Sequence, residues 1–203
     1  MSLNRTDNHS ADINREEVER LRDENHSLRQ SVRDLEERLA TVAQLADTDT
    51  LTPLPNRRRF EREVDMVVRR VARYRTGAAL LFVDVDGLKS INDAHGHGAG
   101  DIVLIHVGDV LRSQLRSTDL VARLGGDEFG ILIEPILEHE VIRKIGTLTR
   151  EISQNHAIIE RELVPVSISI GYTMIEANDS VDTALHRADI AMYGEKRAHR
   201  AER

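Results

Sequence analysis

The sequence predicts an α+β domain in which helices flank a central antiparallel-rich sheet, preceded by one coiled-coil helix. Three observations lead to this fold class. Residues 11–46 combine many charged residues with a heptad repeat of apolar ones. Residues 78–85 and 123–133 are rich in apolar and β-branched side chains, as strands are. Stretches between and after them repeat apolar residues at helical spacing, so their helices can cover the sheet.

The heptad repeat at residues 11–46, which we call the stalk, predicts a parallel two-stranded coiled coil. Val18 starts the seam at position a and Leu21 follows at position d, after which spacings of four and three residues alternate. Polar Asn25 at the next a position favours two strands in one register. A single amphipathic helix packed on its own domain is the alternative, which the narrow seam disfavours. The seam residues are Val18, Leu21, Asn25, Leu28, Val32, Leu35, Leu39, Val42 and Ala46.

Two polar segments flank the stalk. Residues 1–10 are polar and lack apolar periodicity, so we predict that they are disordered. Residues 47–56 contain two prolines and interrupt the heptads, which predicts a linker. We therefore expect the globular domain to span residues 57–203.

The elements of this domain are predicted in the order αβααββαβα, with room for one further short hairpin. A tight turn joins the two strands within residues 123–133. A glycine-rich loop at Gly96–Gly100 precedes the third helix and by composition could cradle a phosphate. The other elements are helices at Arg57–Arg75, Ala99–Leu115, Leu137–Ile152 and Val181–Lys196, and strands at Ala78–Val85 and Val164–Thr173.

The turn of the predicted hairpin, Gly125-Gly126-Asp127-Glu128, carries two adjacent acids. Its glycines allow positive φ and let a ligand approach the backbone closely. In an extended chain the side chains of Asp127 and Glu128 point to opposite faces, so one could hold a metal while the other has another role. A surface hairpin with solvated acids is the alternative interpretation of this turn alone.

The strand at residues 78–85 also ends in acids, Asp84 and Asp86. Carboxylates are seldom buried without a partner, so acids at the tip of a buried strand indicate a cation. Asp84 and Asp127 on neighbouring strands would form an oxygen-lined site for Mg²⁺, which keeps open positions for water and substrate phosphates. This pattern indicates phosphoryl transfer.

Five sequence runs occur in the order found in one enzyme family. They are LTPLPNRRRF at 51–60, FVDVDGLKSINDAHGHGAGD at 82–101, RLGGDEF at 123–129, SISIG at 167–171 and ADIAMYGEK at 188–196. Together they resemble the GGDEF-domain diguanylate cyclases. The resemblance implies a palm-like nucleotidyl-cyclase fold and a homodimer that condenses two GTP into cyclic di-GMP with loss of two pyrophosphates.

The resemblance also implies the metal ligands and the catalytic acid. Asp84, Asp127 and the backbone carbonyl of Val85 would hold Mg²⁺, for which Mn²⁺ could substitute. Glu128 lies where the family has a catalytic carboxylate near the attacking ribose hydroxyl. In such a site the metal neutralises charge on the reacting phosphate.

Phosphate contacts are implied at both ends of the domain. Lys89, with backbone amides at Leu88 and Gly125, corresponds to the family's triphosphate cradle. Lys196 and Arg200 correspond to the terminal cations that hold the outer phosphates. His199 stands where the family usually has glycine, so the helix end around Arg200 could differ.

Guanine recognition is implied at two places. Asn92 and Asp101 correspond to the residues that read the base of the substrate. Arg116 and Asp119 form an R-x-x-D pair with the family's spacing to the GGDEF turn, and they imply a site at which cyclic di-GMP inhibits the enzyme. Arginine can clamp a phosphate there while the aspartate accepts from guanine. Arg143 could add a second cation.

Composition narrows the class of protein further. A net charge of −7 disfavours a general nucleic-acid binder, which needs a basic surface. The chain has no cysteine, which excludes disulfides and thiolate metal sites. No apolar run approaches the ~20 residues of a membrane-spanning helix, and no signal peptide is apparent. We therefore expect no membrane segment and a cytoplasmic location.

Two other functions stay open at this stage. A GGDEF fold without turnover could serve as a receptor or scaffold that binds cyclic di-GMP through the R-x-x-D pair, although the intact strand-end acids disfavour this. A cyclase with another base preference is disfavoured by Asn92 and Asp101. Products formed from GTP and from ATP would separate these alternatives from a diguanylate cyclase.

Overall fold

The computed structural model describes residues 20–22, 24–35 and 47–201, with side chains described up to Arg197. The chain divides into two units between Ala46 and Asp47. Among the described residues, no helix is both long enough and apolar enough to cross a bilayer.

The described part of the stalk, residues 20–22 and 24–35, is helical, as the heptad repeat predicts. Four apolar seam residues lie in these ranges, and in the single chain each is at least 50% exposed; they are Leu21, Leu28, Val32 and Leu35. The other apolar seam positions, and the predicted disorder at residues 1–10, lie outside the described residues.

Eleven elements follow in residues 47–201. The helices are α1 (Arg57–Tyr74), α2 (Leu88–His95), α3 (His97–Ser113), α4 (Glu138–Gln154) and α5 (Val181–Ala201). The strands are β1 (Ala79–Val85), β2 (Leu120–Gly125), β3 (Glu128–Ile133), β4 (Ala157–Ile159), β5 (Glu162–Val164) and β6 (Ile168–Met174). Their order agrees with the predicted one once the hairpin β4–β5 is added. The predicted strand Val164–Thr173 is thereby divided, because Val164 ends β5 and β6 begins at Ile168.

The central sheet has the strand order β2-β3-β1-β6, and every neighbouring pair is antiparallel. β1 is buried along its whole length. Leu81 and Val83 pack in a core with α3 and α4, whereas Leu80 and Phe82 pack in a second core with α1 and α5. Side chains alternate between faces along a strand, so a strand covered on both sides is continuously apolar. The domain is thus a helix–sheet–helix sandwich, consistent with the predicted α+β class.

The glycine-rich segment before α3 differs from the prediction. We expected a loop at Gly96–Gly100, but α3 begins at His97, and Gly96 is its N-cap with φ of 83°. Gly100 lies inside the helix, where an added Cβ would be 2.1 Å from Oδ1 of Asn92 on α2. A glycine is required there because α2 and α3 approach closely, rather than because a loop surrounds a phosphate.

Residues 47–56, predicted as a linker, fold onto the domain. Thr52 and Leu54 are 1% and 2% exposed, and Leu54 belongs to the core that contains α3 and α4. Asp47 accepts hydrogen bonds from Arg62 at 2.6 and 2.9 Å and from Arg58 at 3.2 Å. These contacts, chiefly the one with Arg62, lower the pKa of Asp47 from 3.8 to about 2. The compact unit therefore begins at Asp47.

Candidate active site

The ends of β1 and β3 bring the predicted acids together. Asp84 on β1 is directly opposite Glu128 on β3 in the antiparallel register. The N–H of Val85 donates to the carbonyl oxygen of Asp127 at 3.1 Å. The hairpin turn therefore closes over the end of β1, and the acids of two strands share one edge of the sheet.

The Gly125-Gly126 turn is shaped by backbone conformations that favour glycine. Their φ angles are 142° and 54°, and the β2–β3 register shifts between Arg123 and Gly125. The guanidinium of Arg123 donates to the carbonyl oxygen of Gly126 at 2.8 and 3.2 Å, and to Asp49 at 3.1 Å. Arg123 thus ties the turn to the segment before α1. Arg123 begins the run at 123–129, and Asp49 lies two residues before the run at 51–60. Neither residue was assigned a role from the sequence alone.

Asp84 lies on the α1/α5 face of the sheet, because it follows Leu80 and Phe82 at even spacing. It is 6% exposed. Nζ of Lys196, from α5, is 2.5 Å from its Oδ1. Burial raises the pKa of Asp84, the Lys196 hydrogen bond opposes that effect, and the negative charge of Asp127 adds to it. A cation beside Asp84 therefore offsets a real electrostatic cost.

Glu128 faces a second cation. Nη2 of Arg57, at the start of α1, is 3.4 Å from Oε2 of Glu128, and Nε of Arg57 donates to the carbonyl oxygen of Leu124 at 3.0 Å. Burial raises the pKa of Glu128, Arg57 opposes this, and the charges of Asp127 and Asp189 raise it further. Arg57 and Asp189 are site residues that sequence reasoning missed; the triple arginine of the 51–60 run was the available signal for the first.

The second strand-end acid, Asp86, has a structural role. Its carboxylate accepts hydrogen bonds from the hydroxyls of Ser167 at 3.0 Å and Ser169 at 2.8 Å. Its N–H donates to the carbonyl oxygen of Ser167 at 2.9 Å. Asp86 therefore ties β1 to the segment that leads into and begins β6, and of the two acids at this strand end Asp84 is the one that contacts Lys196.

The nucleotide-binding candidates cluster on α2 and α3. Leu88 and Lys89 form the first turn of α2, after Gly87 in the left-handed conformation. Oδ1 of Asn92 is buried and has no hydrogen-bond partner within the described chain. Asp101 is exposed and directly follows Gly100, against which Asn92 packs. Asn92 and Asp101 are thus brought near each other where the two helices cross. The side chain of Arg200 lies outside the described residues.

The donor set at the strand ends suits a hard divalent cation. Asp84 and Asp127 supply carboxylates and Val85 a carbonyl, so every ligand is oxygen. Within residues 20–22, 24–35 and 47–201, no group of three or more carboxylate or imidazole side chains could hold a metal ion by itself. Mg²⁺ usually has few protein ligands and completes its shell with water and phosphate oxygens. Relief of the repulsion between Asp84 and Asp127 would favour such an ion.

Comparison with known families agrees with this geometry. Residues 46–202 match the model of the family described as "Diguanylate cyclase, GGDEF domain". The chain belongs to this family. Its GGDEF domain accounts for the compact unit that begins at Asp47 and for the antiparallel palm-like sheet.

Relatives of this GGDEF domain occur in several bacteria. The diguanylate cyclase TpbB of Pseudomonas aeruginosa is 39% identical over 171 residues, which are 83% of this chain and 39% of TpbB. The bifunctional diguanylate cyclase/cyclic di-GMP phosphodiesterase MucR of the same species is 39% identical over 156 residues, 76% of this chain and 23% of MucR. The chain therefore spans well under half the length of these relatives.

Solved structures also resemble the chain over most of its length. The coiled coil and GGDEF domain of DgcB from Caulobacter crescentus, in complex with c-di-GMP, has a TM-score of 0.77 and 28% sequence identity. The similarity covers 89% of this chain and 94% of that one.

A cavity of the GGDEF domain, apart from the strand-end acids, contains the predicted R-x-x-D pair. Arg116, Asp119 and Arg143 all line this cavity, whose volume is about 400 Å³. Oδ2 of Asp119 accepts from the backbone N–H of Arg116 at 3.0 Å. Lys144 also lines it, and its Nζ donates to the carbonyl oxygen of Gln114 at 2.9 Å. Helix α4 and the turn after α3 thus place three cations around one concave surface.

Proposed function

We propose that the chain is a diguanylate cyclase that condenses two GTP into cyclic di-GMP and releases two pyrophosphates. The observation that carries the proposal is the meeting of Asp84, Asp127 and Glu128 at one end of two antiparallel strands. The similarity of the chain to the diguanylate cyclase TpbB and to the bifunctional diguanylate cyclase MucR supports it. GTP is a cytoplasmic nucleotide, so the proposal implies that the enzyme works in the cytoplasm.

In this proposal Asp84, Asp127 and the carbonyl of Val85 hold Mg²⁺ or Mn²⁺. When bound, the ion supplies Lewis-acid stabilisation of negative charge on the α-phosphate. The protein contributes the buried position of Asp84 and the fixed turn at Asp127, which keep both carboxylates in place before substrate arrives.

The remaining residues bind and orient GTP. The unpartnered Oδ1 of Asn92 can accept a hydrogen bond from a guanine N–H, and Asp101 can accept another. Lys89, with the amides at Leu88 and Gly125, neutralises the triphosphate. Lys196 and Arg200 would hold its outer phosphates. Each of these contacts fixes the orientation of the nucleotide relative to the strand-end acids.

Glu128 is the proposed proton acceptor for the ribose 3′-hydroxyl. Its raised pKa makes it a better base than an ordinary surface carboxylate, and Arg57 holds the side chain in position. The hydroxyl oxygen attacks the α-phosphorus of the other GTP, the bond to pyrophosphate breaks, and the proton leaves with the base. A second, equivalent attack closes the ring. Each of two facing domains supplies one GTP.

Dimerisation through the stalk follows from this two-site chemistry. The seam residues Leu21, Leu28, Val32 and Leu35 are exposed in the single chain, as expected for a helix whose partner is a second chain. A parallel coiled coil would raise the effective concentration of the second domain. The DgcB structure, which includes a coiled coil and a GGDEF domain, supports this arrangement.

The cavity with Arg116, Asp119 and Arg143 is proposed to bind the product and inhibit the enzyme. Its arginines can pair with phosphates and stack on guanine, and Asp119 can accept from the guanine edge. The same cavity favours the second candidate function, a receptor without turnover that binds cyclic di-GMP. The two functions differ in whether GTP is consumed.

Incubation of the purified chain with GTP and Mg²⁺, followed by chromatography of the products, tests the proposal. We expect cyclic di-GMP and pyrophosphate from GTP and no cyclic dinucleotide from ATP. Asp127→Asn should lower the rate about a hundredfold or more. The neutral amide is a weaker ligand, so the metal ion would be held less tightly and the negative charge on the reacting phosphate would be unopposed. Asp65→Asn, in an exposed ion pair on α1, is the matched control and should keep the wild-type rate.

Two results would contradict the cyclase assignment. Asp127→Asn turning over at the wild-type rate would exclude the strand-end site. A chain that binds cyclic di-GMP but leaves GTP unchanged at every enzyme concentration would establish the receptor instead.

A further inference from the structure

We propose that Lys196 is a built-in counter-ion of the metal-free site, and that a divalent cation displaces it from Asp84. The released ammonium group then becomes available to a phosphate. This proposal rests on the proposed function, since it takes Asp84 to be a metal ligand. It adds an exchange of cations at one carboxylate, which makes the phosphate contact of Lys196 depend on the metal.

The contact that suggests this role is short and largely buried. Nζ of Lys196 is 2.5 Å from Oδ1 of Asp84, across 112 residues of sequence. Asp84 is 6% exposed, and a carboxylate with so little access to water requires a cationic or hydrogen-bonding partner. Without a metal, Lys196 fills this requirement.

The ammonium group and a divalent ion compete for the same oxygen. An ion bound at Asp84 repels a positive charge within hydrogen-bonding distance of that carboxylate, so the two cations cannot both stay. Lysine suits such an exchange because its charge is carried on a flexible four-carbon stem. The side chain of Lys196 is 22% exposed, so it has a route out of the site.

The packing of α5 confines the exchange to the side chain. At Gly171 of β6, an added Cβ would lie 1.9 Å from the backbone nitrogen of Met192 and 2.5 Å from the carbonyl oxygen of Ala188. The helix backbone one turn before Lys196 is therefore in direct contact with the sheet. A rigid helix keeps the stem of Lys196 near Asp84 while its end moves between the carboxylate and the nucleotide.

The first test uses the reactivity of lysine amines in the nucleotide-free, full-length chain. The sequence contains three lysines, Lys89, Lys144 and Lys196, so acetylation by an amine-reactive ester is readily assigned by mass spectrometry. We expect addition of Mg²⁺ to raise the acetylation rate of Lys196 at least threefold. Lys144 is the internal control, because its Nζ donates to the carbonyl oxygen of Gln114 in the cavity that contains Arg116, away from the proposed metal site.

The second test measures the affinity for Mn²⁺ by electron paramagnetic resonance, without nucleotide. Lys196→Met removes the competitor, so we expect Mn²⁺ to bind about tenfold more tightly. The loss of any positive charge nearby also favours a cation, and Arg197→Met controls for that effect. Arg197 is exposed on the same helix end and should alter the affinity less than twofold.

The outcomes separate this proposal from the proposed function. Suppose that the wild-type chain binds Mn²⁺, that Lys196 reacts equally with and without Mg²⁺, and that Lys196→Met binds Mn²⁺ no more tightly than Arg197→Met. The counter-ion role of Lys196 is then wrong, and the proposed cyclase site is unaffected. If the wild-type chain binds no Mn²⁺ without nucleotide, the exchange at Asp84 is wrong, whereas product formation from GTP still tests the cyclase assignment separately. Acetylation of the wild-type chain decides the matter even if Lys196→Met does not fold.

Discussion

Two carboxylates at the strand ends, those of Asp84 and Glu128, lie where their negative charge is unfavourable. Burial raises the pKa of Asp84 and of Glu128, and Asp127 raises both further. Lys196 and Arg57 offset part of this cost from two different helices. Shifted carboxyl groups of this kind concentrate at functional sites, because an arrangement optimised for stability alone would not keep them.

Arg116, in the turn after α3, gives the prediction at the scale of residues. Arg116→Ala would remove the proposed charge-assisted phosphate contact from the cavity that Arg116, Asp119 and Arg143 line. We expect the concentration of cyclic di-GMP that halves the rate to rise about tenfold or more, with the uninhibited rate unchanged. The measurement is the initial rate with GTP over a series of product concentrations.

Arg112→Ala is the matched control for this change. Arg112 is an exposed cation in the last turn of α3, four residues before Arg116, and it does not line the cavity. Inhibition in this variant should match the wild type. If cyclic di-GMP inhibited the Arg116→Ala enzyme as strongly as the wild type, the proposed inhibitory role of the cavity would be wrong.

At the scale of elements, glycines determine how closely the helices approach the sheet. Gly130 of β3 leaves room for the ring of Phe60, to which an added Cβ would approach within 2.6 Å. Gly171 of β6 does the same for the backbone of α5. Both glycines lie where helices meet the central sheet, and α1 and α5 carry the cations that face Asp84 and Glu128.

Gly171→Ala tests this packing. The added methyl group would meet backbone atoms of α5, which cannot move aside as a flexible side chain can. Overpacking of this kind costs about 1–3 kcal/mol, which corresponds to a fall in melting temperature of roughly 2–12 °C. Activity should also fall, because the helix that carries Lys196 is displaced. Thermal unfolding by circular dichroism measures the effect.

Gly146→Ala is its control within a helix. An added Cβ at Gly146 of α4 has no atom within 4 Å, and alanine is favoured over glycine in a helix by roughly 0.5–1 kcal/mol. This variant should therefore be slightly more stable than the wild type. If Gly171→Ala were equally harmless, the close contact of α5 with β6 would be wrong.

At the scale of the whole molecule, the proposed reaction requires two domains, and the stalk is the proposed means of joining them. Leu28 is a d position of the seam and is 59% exposed in the single chain. Leu28→Glu places a charge in the proposed interface, where it would have no compensating partner. We expect the variant to be monomeric by sedimentation at micromolar concentration.

The rate of this variant should depend on its concentration. Turnover per chain should fall about tenfold in dilute solution and recover as the concentration rises, because the domains then meet by diffusion. Gln30→Glu introduces the same charge at an exposed f position and should stay dimeric and active. A Leu28→Glu monomer with full, concentration-independent activity would contradict the shared active site.

Local sequence was sufficient to predict the order of the elements and the proximity of Asp84 and Asp127 at the strand ends. The continuous apolar run of residues 78–85 and the helical period of α1 recur in the structure because each expresses which faces are covered. The hairpin turn was predictable because Gly125 and Gly126 supply the positive φ that it requires. Misjudged boundaries, at α3 and at β5–β6, fall where tertiary contacts override local signals.

The sequence by itself determined the sandwich of helices on a sheet, the acids at the strand ends and the family to which the chain belongs. Tertiary structure decided the pairings: Lys196 with Asp84, Arg57 with Glu128 and Arg123 with Asp49, which are separated by 112, 71 and 74 residues. Periodicity and turn chemistry act between near neighbours in the chain. Which distant cation meets which acid depends on how helices seat on the sheet, and that is fixed by packing of the folded core.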